Sequence, residues 1–291
     1  MVSIFIVLSG GIVRITGSGL GCPTWPACEA GSLTTTPELG IHGLIEFSNR
    51  ALTGVLILAV GWAIVAARLQ APRIRALTRL AWSQFWLVIV NSIAGGISVL
   101  TGLNPYVVAM HFVLAMALLT TTTLTWHRAR QSLAATHNAD AGRSSGAAAI
   151  LSRALLAITA VLIIVGTLVT GSGQHSGDSA DVPRMTFVWA HITGVHAVLG
   201  VLTLALAVTL FAVVRHGSAL VKKRVLGVIV MVSLQALIGF VQANTGSPAW
   251  LVALHVGGSA LVWVGVLRVL LDVEPAIFSL TARDSPRFEA L

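Results

Sequence analysis

Apolar residues in this chain come in long, nearly unbroken runs, not in the two-residue alternation of strands or the narrow stripe of a surface helix. A bilayer core of about 30 Å takes roughly 20 apolar residues of helix. Runs of that kind occur at Leu39–Ala67, Leu80–Leu100, Tyr106–Trp126, Ile150–Val169, Phe187–Val214, Val225–Val241 and Ala249–Leu271. An eighth, Met1–Val13, is too short to span, and no small-residue cleavage site follows it as a signal peptide would require. Gln131–Ala149 is polar and without periodicity, which reads as a linker, and Asp272–Leu291 has mixed charge with Pro275 and Pro286, which reads as a tail. The pattern predicts an all-α membrane protein of eight transmembrane helices in two pseudo-symmetric four-helix bundles. The expected division is residues 1–130, a linker over 131–149, a second half over 150–271 and a tail over 272–291, with the first helix truncated at its start.

The two halves repeat one another. Thr101-Gly102 and Thr245-Gly246 lie 144 positions apart, as do Gly95 and Gly239, and His111 and His255. Thr16-Gly17-Ser18-Gly19 matches Thr170-Gly171-Ser172-Gly173, and extending that match places Asn49 opposite His191. Each half holds an even number of helices, so the repeats run parallel through the membrane, unlike the inverted repeats common in secondary transporters.

Composition and charge narrow the class. Hydrophobic residues make up 56% of the chain and charged residues 10%, which excludes an ordinary soluble domain. The cations gather in alternate loops: Arg68, Arg73, Arg75 and Arg79; then Arg128, Arg130, Arg143 and Arg153; then Arg215, Lys222, Lys223 and Arg224. The positive-inside rule puts these loops and both termini in the cytoplasm of a cell-membrane protein. The formal net charge of +8 is thus a topology signal with some attraction to membrane lipid, and no basic face interleaved with aromatics points to nucleic acid.

Histidines inside apolar helices are expensive and functional by default. Repeated ones suggest a tetrapyrrole held between helices, since imidazole is a common axial ligand of haem iron. His111, His191 and His255 are the candidates, with small residues near the last two. His196, five residues beyond His191 and so about 140° further round the helix, is left for packing or an interhelical hydrogen bond. His127, His137, His175 and His216 fall in loops or at helix ends and read as solvated, while His42 lies two turns outward from Asn49, near enough to meet a haem carboxylate or carry protons. Glu46 and Arg50 flank Asn49 at a spacing that allows an intrahelical ion pair or, for Glu46, proton handling beside a substrate. Cys22 and Cys28 sit in an outward loop and fit neither a c-type haem motif nor a four-ligand zinc site. A loop-stapling disulfide and a redox-active pair both suit that spacing.

Gly17-Ser18-Gly19-Leu20-Gly21-Cys22-Pro23 with Trp25-Pro26 and Cys28, followed by Ile45-Glu46-Phe47-Ser48-Asn49-Arg50, resembles the haem A synthase family, and the resemblance runs over nearly the whole chain. It implies an oxidoreductase that converts a methyl group of haem O to a formyl group by successive hydroxylations. It also implies a haem b between His191 and His255, the haem O substrate at His111 beside Asn49, Glu46 as the essential carboxylate and a Cys22–Cys28 disulfide. Haem O synthase and the cytochrome oxidase assembly machinery are the implied partners; the electron donor is not implied, and a homo-oligomer is compatible. Asn49 departs from the pattern, in which a second histidine is usual, so the first-half iron is expected to carry one protein ligand and an open position. A dihaem electron carrier and a haem-handling transporter or chaperone are the rival readings.

Overall fold

A computed structural model describes residues 2–134, 145–175, 177–178 and 182–274. Within them lie eight α-helices: α1 Val2–Ile15, α2 Gly40–Leu69, α3 Arg75–Leu100, α4 Pro105–Ala134, α5 Gly146–Ser172, α6 Trp189–Val214, α7 Ala219–Asn244 and α8 Ala249–Val273. A short 3₁₀ turn over Pro37–Leu39 leads into α2. The helices α2–α8 are long and apolar enough to cross a membrane. α1, with 14 residues, is about 21 Å long at 1.5 Å per residue.

Several helices outrun the apolar segments that announce them. α3 begins at Arg75 and α7 at Ala219, so that each takes in basic residues at its membrane edge. Backbone groups near lipid must be paired within the helix, and long cationic side chains can reach water from such ends. The expected linker is shortened from both sides, since α4 runs to Ala134 and α5 starts at Gly146, capped by Ser145 accepting from the Ala148 amide. The rest of the linker, including His137, and the tail beyond Glu274 lie outside the described residues.

The helices form two antiparallel four-helix groups. In the first, α1 packs on α2, α2 on α3, α3 on α4 and α4 on α1; the second closes in the same order from α5 to α8. The groups meet through α4 against α8, flanked by α1 against α8 and α4 against α5, a pairing with the symmetry of the sequence repeat. Leu56, Val60, Leu77, Val88 and Leu118 fill the first group, and Leu155, Leu210, Val225, Val232 and Val266 the second. Val7, Met116, Leu119 and Ala260 fill the seam, where the Trp263 indole donates to Thr120 Oγ1 at 2.9 Å.

The duplication extends to backbone hydrogen bonds. After α3, Gly102 and Leu103 take positive φ and the Leu103 amide reaches back to Ser98 O at 2.7 Å. After α7, Gly246 and Ser247 do the same, with the Ser247 amide on Gln242 O at 2.9 Å. Each turn satisfies carbonyls that the helix end would leave unpaired, and each delivers the chain into the helix that carries His111 or His255.

Candidate functional site

His111 and His255 occupy the same place in their halves, the seventh residue of α4 and of α8. Each ring lies against a glycine of the preceding helix. A Cβ added at Gly95 would sit 3.0 Å from His111 Cε1, and one at Gly239 would sit 3.4 Å from His255 Cε1. At Gly95 a side chain would crowd the imidazole, whereas at Gly239 a methyl group would only touch it. His111 Nδ1 is 2.9 Å from the Asn91 carbonyl, one turn below Gly95. With Nδ1–H donating to that carbonyl, the tautomer is fixed and Nε2 is left as the free lone pair.

A third contact of this kind involves another histidine of α6. The residue seated against a glycine is His196: a Cβ at Gly166 on α5 would meet His196 Cε1 at 3.0 Å. Its ring faces His255, with centroids 6.1 Å apart and planes at 66°. His191 is the third residue of α6 and is exposed. The five-residue rotation that separates the two histidines does hold, but it is His196 that turns inward. Counting back from the helix ends does not separate the two histidines: Asn49 lies 20 residues before Leu69, and His196 and His191 lie 18 and 23 residues before Val214.

Asn49 is the fourth member of the set, on α2 facing α1. No histidine–glycine contact forms there; Ser9 Oγ donates to Asn49 Oδ1 at 2.7 Å. The amide oxygen is thereby turned to α1 and engaged.

Some of the buried side-chain atoms without a hydrogen-bond partner among the described residues lie on the helices that carry these positions. Asn91 Oδ1 is one in the first half; Thr193 Oγ1, Gln235 Oε1 and His255 Nδ1 are others in the second. Asn91 and Gln235 are themselves related by the repeat. Unsatisfied buried polar groups are rare in folded proteins and mark places that take a ligand or water.

The loop between α1 and α2 covers the first-half position. Cys22 and Cys28 form a disulfide and both are fully buried. The loop is clamped from α2: Glu46 Oε2 accepts from the Cys22 amide at 2.6 Å, and Glu46 Oε1 accepts from Arg50 Nη2 at 2.5 Å. Arg50 also donates to the carbonyls of Cys22, Thr24 and Ala27 at 3.1, 2.9 and 3.0 Å. Glu46 and Arg50 are therefore an ion pair, and also the anchor of the loop. Trp25 is pressed against Gly96, beside the glycine that seats His111. The sequence gives no sign of this contact or of the carbonyls gathered by Arg50, because loop-to-helix docking has no periodicity.

The remaining histidines divide. His42 Nδ1 is 2.9 Å from Ser18 Oγ. His175 Nε2 is 2.7 Å from Ser247 O, and His216 is exposed. His127, expected to be solvated, is buried in α4, with Nε2 at 2.9 Å from Gln131 Nε2 and Nδ1 at 4.0 Å from Asp272. Arg14 joins the halves, donating to Thr170 O and His175 O at 3.1 and 2.8 Å.

Comparison with known proteins gives a family. The profile of the cytochrome oxidase assembly protein family, COX15-CtaA, matches residues 33–267. A haem A synthase of Staphylococcus epidermidis is 34% identical over 110 residues, 37% of this chain and 35% of that protein. Those of Bacillus pumilus and Lysinibacillus sphaericus are 32% and 35% identical over 113 residues, 38% of this chain in both cases and 36% and 35% of the relatives. The matched segment thus spans about a third of the length of these curated relatives.

Proposed function

The chain belongs to the cytochrome oxidase assembly protein family, and from that premise we propose that it is a haem A synthase, oxidising a methyl group of haem O to a formyl group. The observation that carries the reading is the set of three imidazoles, His111, His196 and His255, each seated on a glycine inside a membrane bundle. The curated relatives named as haem A synthases support it.

The residues fit a haem. Among the described residues no group of three or more His, Cys, Asp or Glu side chains converges on a point. A pair of imidazoles suits a metal that arrives with its other ligands already attached, as haem iron does. Two metal–imidazole bonds of about 2 Å each would put the ring centres roughly 6 Å apart, close to the 6.1 Å between His196 and His255. We therefore assign haem b to His196 and His255 in place of His191 and His255, and the substrate haem O to His111.

Bound haem iron supplies the one-electron and oxygen chemistry that amino-acid side chains lack. The chain does the rest. The Asn91 carbonyl holds His111 so that only Nε2 is offered. Ser9 holds the Asn49 oxygen toward α1, which keeps the face opposite His111 clear for a small reactant. The loop pinned by the buried disulfide, with the Trp25 ring against Gly96, would limit water at the substrate position, and exclusion of water strengthens local electrostatics. Glu46 is the proposed essential carboxylate: it lies one turn outward from Asn49, and Arg50 fixes one of its oxygens. A proton released during oxidation of the methyl group would be taken up by the Glu46 carboxylate. The product would serve cytochrome oxidase assembly.

Expression of the full chain beside a haem O producer, followed by haem extraction and mass analysis, tests this. Haem A formed only when the chain is present is the expected result. Haem B alone, at two per chain, would replace the proposal with a dihaem electron carrier.

A further inference from the structure

A groove of about 420 Å³ lies between α7 and α8 at the end of the second bundle that carries the basic loops. One end is lined by Lys223, Arg224 and Arg268, and the remainder by apolar side chains that include Met231 and Leu261. Its volume holds on the order of fourteen groups the size of water, at ~30 Å³ each. Two glycines give it depth. A Cβ at Gly227 would meet nothing within 4 Å, and one at Gly265 would meet only Val228, at 3.2 Å. The helix faces beside it look outward, with Leu220 52% and Leu261 45% exposed, so in a membrane the groove opens to lipid.

The cations at its head exceed the nearby acid. Arg224 Nε lies 2.6 Å from Asp272 Oδ2, and the same carboxylate also faces His127. Arg268 has its guanidinium 4.8 Å from the centre of the Trp126 ring, and neither it nor Lys223 forms an ion pair among the described residues. Arg224 Nη1 and Arg268 Nε have no hydrogen-bond partner there. Cations clustered beside an apolar cleft at the membrane edge match a ligand with an anionic head and a hydrocarbon body.

We propose that this groove binds one anionic phospholipid of the surrounding bilayer, its phosphate at Lys223, Arg224 and Arg268 and an acyl chain laid between Gly227 and Gly265. This site is at the opposite end of the bundle from the disulfide loop and plays no part in the reaction proposed above.

The test is native mass spectrometry of the full chain in detergent, titrated with phosphatidylglycerol or with phosphatidylcholine of the same chains. One phosphatidylglycerol should bind at least tenfold more tightly than phosphatidylcholine. Lys223→Gln with Arg268→Gln should weaken it roughly twentyfold, about fivefold for each charge. Gly227→Leu removes no charge but fills the cleft, and should weaken it comparably; Gly227 is an interior helix position, so the substitution favours the helix. Equal binding of the two lipids would overturn the proposal. So would unchanged phosphatidylglycerol binding in both variants. Loss in the charge variant with none in Gly227→Leu, together with displacement by inorganic phosphate, would reduce the groove to a free-anion site and also overturn it.

Discussion

The histidine–glycine contacts make a graded prediction, because the second bundle contains two of them at different clearances. Gly166→Ala would put a Cβ 3.0 Å from His196 Cε1, tighter than nine in ten real Cβ contacts, so the ring must give by a few tenths of an ångström. Gly239→Ala would put one 3.4 Å from His255 Cε1, at the edge of ordinary van der Waals contact. Overpacking of the first kind costs about 1–3 kcal/mol, whereas alanine in a helix interior regains about 1 kcal/mol over glycine. Net stability should therefore stay within about 2 kcal/mol of wild type in both variants. Haem affinity should separate them. If the overpacking cost is felt as displacement of the ligand ring, at tenfold per 1.4 kcal/mol, Gly166→Ala weakens haem b binding by about 5–150-fold. Gly239→Ala should weaken it by no more than about threefold by the same conversion, at a cost under about 0.7 kcal/mol. The assay is titration of each apo-protein with haem b, followed by the low-spin Soret band, with thermal unfolding measured in parallel. Both substitutions act on one haem, so each controls for the other. Equal loss in the two variants, or wild-type affinity in Gly166→Ala, would refute the reasoning.

Two further outcomes follow from the same geometry. His196→Ala should abolish the low-spin b-type signal while His191→Ala leaves it intact, read by absorbance and electron paramagnetic resonance; the reverse pattern would restore the assignment made from the repeat. Glu46→Gln keeps an acceptor for the Cys22 amide but loses the charge facing Arg50. That variant should retain the disulfide, by thiol labelling, and bind haem O while forming no formyl product. Normal turnover would leave Glu46 with only its loop-anchoring role.

Much of this architecture is written in the chain itself. Apolar runs long enough to cross a bilayer set the number and order of α2–α8, because in lipid an unpaired backbone is too costly for any other outcome. The Thr-Gly repeats foretold two turns that proved alike down to their hydrogen bonds, and His111 and His255 fell at equal depth because nothing was inserted between turn and histidine. The pairing of Cys22 with Cys28 was also legible as an option. Register across the unequal loops was not. Which histidine of α6 lies beside His255 depends on how that helix is rotated against α5, and it is His196 whose ring packs on Gly166, 6.1 Å from that of His255. The same holds for Glu46 and Arg50. Their spacing allowed an ion pair, but only folding brings the carbonyls of Cys22, Thr24 and Ala27 to the guanidinium. Periodicity records how a helix meets its solvent, lipid or water; which side chain meets which across helices is fixed by close packing, where one missing Cβ decides the partner.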